Sequence, residues 1–237
     1  MSKILDHLIN CIEGAPITNP PHIHLDKPFP DNFYQEMLDN LPPDYSYIPF
    51  KHPDALKEDG TSSRLRLVLT DLHHIPSSKK NFWKETLSVW QSSELKTTLL
   101  KKFYETIEER FPENKWDSIS LEVLPSLFRD LSDYKIRIHP DNGKKTIVLQ
   151  VYLPPDNSTP EIGTCFHNKV DDSFNKADQI PFRRNYGYAF PVTNHSWHSV
   201  DTIQEGIVRN SLMLIYSLPK GATIKDNKIH KKKEQDY

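Results

Sequence analysis

A mainly β fold with flanking helices, built as a jelly-roll core behind an N-terminal helical buttress, is what this sequence predicts. Three features predict it. From Tyr134 onward, short apolar runs alternate with turn signals such as Asn142-Gly143 and Pro154-Pro155, the pattern of antiparallel strands in a barrel or sandwich. Before Tyr134, apolar residues recur at helical spacing in two regions, which suits helices packed on the outside of a sheet. Nineteen prolines against seven glycines favour many extended, loop-bounded segments. A chain of 237 residues suits one elaborated domain with a sizeable core. The expected bounds are a domain over 1–218, with its barrel at about 134–218 and an annex of helices and strands at 1–133, and then a charged tail over 219–237.

Taken in order, Ser2 to Glu13 places Ile4, Leu5, Leu8, Ile9 and Ile12 on one helical face, with Gly14 as the stop. His22 to Asp26 reads as an extended lead-in strand, and Asp31 as the cap of a helix over Asn32 to Asn40. Tyr45 to Lys57 reads as loop. Arg64 to Leu69 alternates charge with apolar bulk, as a half-buried strand does. Lys80 to Arg110 reads as two helices, the second carrying the stripe Leu95, Leu99, Leu100, Phe103, Ile107 and Phe111. Leu121 to Leu131, interrupted by Pro125, reads as a short connecting element. Tyr134 to Ile138, Thr146 to Leu153, Glu161 to Phe166, Tyr186 to Val192 and two segments around His198 and Arg209 are the expected barrel strands. Gly163 allows another backbone to come close. The polar run from His167 to Pro181 reads as a loop, either a lid or a surface insertion.

Composition excludes several classes of partner. A formal net charge of −2 gives no global field toward nucleic acid or an anionic membrane. No run of 18 apolar residues is present, and two cysteines make no disulfide framework. A cytoplasmic protein is the expectation, with the oligomeric state open.

Chemistry concentrates between Tyr134 and Ser211. His139 and Asp141, two apart on an extended segment, point to one side. With His198 they make two imidazoles and a carboxylate, a donor set that holds divalent iron on one face of its octahedron. Arg209 adds a planar, permanently charged fork suited to a carboxylate, and Ser211 a hydroxyl on the same strand face. On strand Thr146 to Leu153, residues 148, 150 and 152 form the cavity face and the alternate apolar residues the core face. Gln150 and Tyr152 are thereby directed inward. Arg137, two before His139, is expected on the cavity side, and Arg66 with Arg64 is a candidate for an anionic substrate group. A second His-x-Asp, His24 to Asp26, has no His and Arg following at comparable intervals, and His195 is a poorer partner for Arg209 than His198.

The pattern His139-x-Asp141, distal His198 and Arg209-x-Ser211 resembles the 2-oxoglutarate- and iron(II)-dependent dioxygenases, whose core is a double-stranded β-helix. The resemblance spans roughly residues 22 to 218. It implies Fe(II) held by His139, Asp141 and His198, with 2-oxoglutarate and O₂ as cosubstrates and ascorbate able to act as reductant. It also implies that Arg209, Ser211 and Tyr152 bind the distal carboxylate of 2-oxoglutarate, and that Thr164 lies beside the substrate, where the strand faces also direct Arg137, Gln150 and Arg66. The activity implied is oxidation, hydroxylation first, of an unactivated C–H, with 2-oxoglutarate decarboxylated to succinate. A carboxylate at 141 favours oxygenation over halogenation. A small anionic molecule such as an amino acid is the expected substrate. A peptide side chain, a non-catalytic metal-binding jelly roll and a zinc hydrolase are the alternatives the sequence leaves open.

Overall fold

The computed structural model describes residues 1–112, 114–220 and 222. In chain order it forms α1 (Ser2–Gly14), β1 (Ile23–Asp26), α2 (Asp31–Asp39), β2 (Ile48–Pro49), β3 (Arg64–Val68), α3 (Ser77–Trp90), α4 (Ser93–Lys102) and α5 (Tyr104–Arg110). The strands β4 (Glu122–Asp130), β5 (Ile136–His139), β6 (Lys145–Tyr152), β7 (Thr164–Val170), β8 (Ser173–Gln179), β9 (Tyr186–Pro191), β10 (His198–Val200) and β11 (Arg209–Ser217) follow. All strand pairs are antiparallel. A seven-stranded sheet, ordered β1-β9-β6-β11-β4-β3-β2, faces a four-stranded one, ordered β5-β10-β7-β8. This is the two-sheet, helix-buttressed jelly roll expected from the sequence. The tail expected over 219–237 lies almost wholly outside the described residues.

Strand β6 shows how the layers are made. Ile147, Leu149 and Val151 belong to one buried cluster with Leu8 and Ile12 of α1, Trp83 and Trp90 of α3, and Leu95 and Leu99 of α4. Val148 and Tyr152, on the other face, join Phe166, Tyr188 and Phe190 between the two sheets. The period of two assigns each residue to a layer, and the helices cover only the outer one. Arg110, at the end of α5, reaches under the sheet and donates to the carbonyls of Lys145 and Val192, at 2.7 and 2.6 Å, and of Gly143. The helical buttress thereby grips the turn that carries Asp141.

Four local expectations need correction. Asp31 is the first residue of α2 and not its cap, which is Pro30 without a side-chain bond. The helical run before Arg110 is three helices, because the backbone leaves helical geometry at Gln91 and again at Phe103. The Ser92 hydroxyl accepts from the Leu95 amide at 3.1 Å and restarts the chain as α4. Residues 122–130 are no connector but β4, paired along its length with β11 and from Ser126 to Asp130 with β3. Pro125 is tolerated there because its backbone polar groups turn to the β3 side, where its carbonyl accepts from Leu69 at 2.9 Å just beyond the end of that strand. Most of 167–181, finally, belongs to the β7–β8 hairpin, turning at Asp171, whose φ is 53°. From Asn168 to Asn175 the apolar residues are Val170 and Phe174, too few for an alternation that marks it as strand.

Gly163 enters β7 with its Cα against the Ile180 backbone, and a Cβ at that position would overlap the Ile180 carbonyl oxygen. Its φ of −75° is open to any residue, so the requirement is space alone. Gly163→Ala should therefore cost about 3 kcal/mol through forced backbone displacement, read as a lower urea midpoint with an unchanged denaturant slope.

Candidate metal centre and anion pocket

Strands β5 and β10 pair with His139 directly opposite His198. Asp141 follows two residues later, and a donor atom from each of the three lies within 4.8 Å of the others. The rings are 4.4 Å apart between centroids, and His139 Nε2 is 4.0 Å from Asp141 Oδ1. Each ring is pinned in the same way. His139 Nδ1 is 2.9 Å from the Arg137 carbonyl, and His198 Nδ1 is 2.9 Å from the Ser196 carbonyl. A carbonyl only accepts, so each Nδ1 carries the proton and each Nε2 turns a lone pair inward, as a metal ligand must. His195 is exposed and takes no part.

Electrostatics prepare the donors. Burial pushes His198 down to about 4, against the pull of Asp141, so the ring is neutral at neutral pH. Burial raises Asp141, but Lys145, followed by His198 and His139, outweighs it and holds the carboxyl at about 2. Lys145 Nζ donates to Asp141 Oδ1.

A cavity of about 400 Å³ runs from this trio to Arg209. Across β3, β4 and β11 the register aligns Arg64, Asp130 and Arg209 in one row. Arg209 Nη1 donates to Asp130 Oδ2 at 2.6 Å, and Arg64 Nε lies 3.0 Å from Asp130 Oδ1. Two guanidiniums thus share one carboxylate, and one positive charge is left over. Arg209 is only 1% exposed, yet it lines the cavity, and its Nε is buried without a hydrogen-bond partner among the described residues. Arg66, also on the cavity wall, has an orphaned Nε as well. Buried N–H groups without acceptors are costly, and two arginines that carry them on the wall of one cavity fit an anionic ligand.

The other expected residues divide into three groups. Gln150 and Thr164 line the cavity. Tyr152 and Ser211 stand behind its wall. The Tyr152 hydroxyl accepts from Arg209 Nη2 at 3.2 Å and donates to Thr164 Oγ1 at 2.9 Å, while Ser211 accepts from Gln150 at 2.7 Å. Arg137 is not in the cavity. Its side chain is 82% exposed and bonds Asp54 at 3.1 Å. The reason is a bulge: three steps of β5, Ile136 to His139, oppose two steps of β10, and the shared face of 137 and 139 is lost. Sequence reasoning missed Asp130, Lys145 and Tyr188. Tyr188 bonds both Thr164, at 3.0 Å, and Gln150 at the cavity wall. The signal for Asp130 would have been its place on β4 opposite Arg209.

No protein-family model matches the chain, and no curated protein matches it. Solved structures do. A prolyl 4-hydroxylase of Phytophthora capsici has TM-score 0.52 at 13% identity, over 92% of this chain and 66% of that one. A prolyl hydroxylase of Trichoplax adhaerens, in complex with a hypoxia-inducible factor oxygen-degradation-domain peptide, has TM-score 0.51 at 9% identity, over 91% and 89%. AviO1 of Streptomyces viridochromogenes Tue57 has TM-score 0.50 at 11% identity, over 92% and 97%. The chain therefore has the double-stranded β-helix fold that the prolyl hydroxylases share.

The depressed His198 value has a signed consequence. The unfolded chain protonates this ring near 6.5 and the folded, metal-free chain only near 4. Its contribution to stability is complete above pH 6.5 and is lost as pH falls from 6.5 toward 4, by on the order of 3 kcal/mol. Urea unfolding of metal-free protein across that window should show the stability gap between wild type and His198→Gln narrowing by that amount. A pH-independent gap contradicts the neutral, buried ring.

Proposed function

We propose that this chain is a 2-oxoglutarate- and Fe(II)-dependent oxygenase that hydroxylates an unactivated C–H of a small anionic molecule. One observation carries the reading: a single cavity is lined both by the His139, Asp141 and His198 donors and by an incompletely neutralised guanidinium. Donors and guanidinium on the wall of one cavity suit a dicarboxylic acid held between a metal and a cation. The donor chemistry fits ferrous iron, with two neutral imidazoles and one carboxylate leaving the opposite octahedral face open. Iron held there with 2-oxoglutarate and O₂ would supply the oxidant, at the cost of converting 2-oxoglutarate to succinate and CO₂.

The protein's own groups then have assigned tasks. His139 and His198 bind through Nε2, oriented by the Arg137 and Ser196 carbonyls, and Lys145 keeps Asp141 ionised. Arg209 offers Nε to the distal carboxylate, while Asp130, Tyr152 and Thr164 hold the rest of its fork in place. Arg66 meets the substrate's negative group. Its orphaned Nε and its place on the wall of a cavity of about 400 Å³ favour a small acid over an extended peptide. Two free cysteines suit a reducing cytoplasm, and among the described residues no helix is long and apolar enough to cross a membrane.

Anaerobic addition of 2-oxoglutarate to the Fe(II) protein should produce the weak visible band of chelation to iron. Arg209→Leu should bind iron normally but weaken 2-oxoglutarate by roughly 30- to 150-fold, about 2–3 kcal/mol of charge-assisted hydrogen bonding. Asp130 keeps Arg64 as partner in that variant, so folding should survive and circular dichroism will check it. Unchanged affinity refutes the role of Arg209; no band with wild type refutes the oxygenase. Succinate release across amino acids, other small acids and short peptides then identifies the substrate, and Arg66→Leu should raise KM for an anionic one.

A further inference from the structure

A second set of metal-type donors converges where β1, the edge of the large sheet, meets β8, the edge of the small one. His22 and His24 lie two apart on the extended run into β1 and share a face, and Asp178 comes from β8. Both Nε2 atoms meet one carboxylate oxygen, Asp178 Oδ2, at 2.8 Å from His22 and 2.6 Å from His24. The outer nitrogens are occupied. His22 Nδ1 lies 2.6 Å from the Pro20 carbonyl, and His24 Nδ1 lies 2.8 Å from the Tyr186 hydroxyl.

These contacts leave His22 in conflict. Facing a carbonyl, Nδ1 must carry the proton, so Nε2 presents a lone pair to a carboxylate oxygen. Two acceptors at 2.8 Å repel unless a cation lies between them. The His22 side chain has no exposed surface and is stacked on Phe166 at 4.1 Å, which fixes the ring with Nε2 toward Asp178. His24 has no such difficulty as a neutral ring, because the Tyr186 hydroxyl can donate to Nδ1 or accept from it.

We propose that His22, His24 and Asp178 bind a divalent transition metal of the zinc type, clamping the two edge strands together. Two imidazoles and a carboxylate are a zinc donor set, and Pro20 and Tyr186 are the outer partners that hold such rings with Nε2 inward. Tetrahedral donors around such an ion stand roughly 3.4 Å apart, given bonds of about 2.1 Å. Asp178 must therefore swing outward by a fraction of an ångström, which its partly exposed place on an edge strand allows. The side chains of His24 and Asp178 are 27% and 30% exposed, so an ion can enter and water can complete its shell. None of the three lines the cavity of the first trio, so the role is structural. The site shares no ligand with the proposed iron centre and stands or falls independently of it.

The test uses tag-free, full-length, metal-stripped protein carrying His139→Ala and Asp141→Ala, which clears the first trio. Zinc is measured by equilibrium dialysis with elemental analysis, and thermal unfolding is followed with and without it. One equivalent should bind and raise the Tm. Adding His24→Ala or Asp178→Ala should weaken binding by at least about 100-fold, since losing a ligand costs no less than losing an outer partner, and should abolish the Tm shift. Both positions are partly exposed, so neither replacement empties the core. Absence of stoichiometric zinc in the cleared protein, or binding indifferent to both added substitutions, overturns the proposal.

Discussion

Everything at the candidate centre depends on one backbone register, His139 opposite His198 in the β5–β10 pair. Donors from distant parts of a chain can serve one metal only if their Cβ atoms are fixed to within a few tenths of an ångström, and opposed residues of an antiparallel ladder achieve that. β10 is held on its other side by β7, with His198 opposite Phe166, so the register cannot drift. The bulge in β5 turns His139 inward while Arg137 leaves the cavity, and its carbonyl then serves the His139 ring. Asp141 needs a second anchor because it lies beyond the strand. Lys145 grips its carboxylate, and Arg110 grips the turn from below.

The far end of the cavity follows a different logic. Burying Arg209 in full is expensive unless its charge is matched and its N–H groups are bonded. Asp130, Tyr152 and Thr164 satisfy most of the fork, and the alignment of Arg64, Asp130 and Arg209 across three strands leaves the row with one excess positive charge. A fully neutralised row would be a structural ion pair and nothing more. The excess charge and the unpaired Nε are what suit it to an anion.

The sequence made the donors legible because their chemistry is rare. Two imidazoles, a carboxylate and a guanidinium on β-rich segments have few joint uses, whereas single aromatic or charged residues have many. The faces of β6 were legible too, since one side packs on helices and alternation survives there. Three features hid. Pro125 disguised β4, and with it Asp130, because its tolerance depends on where β3 ends. The β7–β8 hairpin has no hydrophobic period in its outer half, so only pairing reveals it, and only then does Asp178 reach His22 and His24. The position of Arg137 was misjudged because strict alternation fails across a bulge, and nothing local in Ile136 to His139 announces one.

A crystal structure of the protein grown anaerobically with Fe(II) and 2-oxoglutarate tests the central assignment most directly. Expected is one metal bonded to His139 Nε2, His198 Nε2 and an Asp141 oxygen, chelated by the oxo group and adjacent carboxylate of 2-oxoglutarate, whose distal carboxylate accepts from Arg209 Nε. A metal bound without these three side chains, or a 2-oxoglutarate whose distal end points away from Arg209, contradicts it.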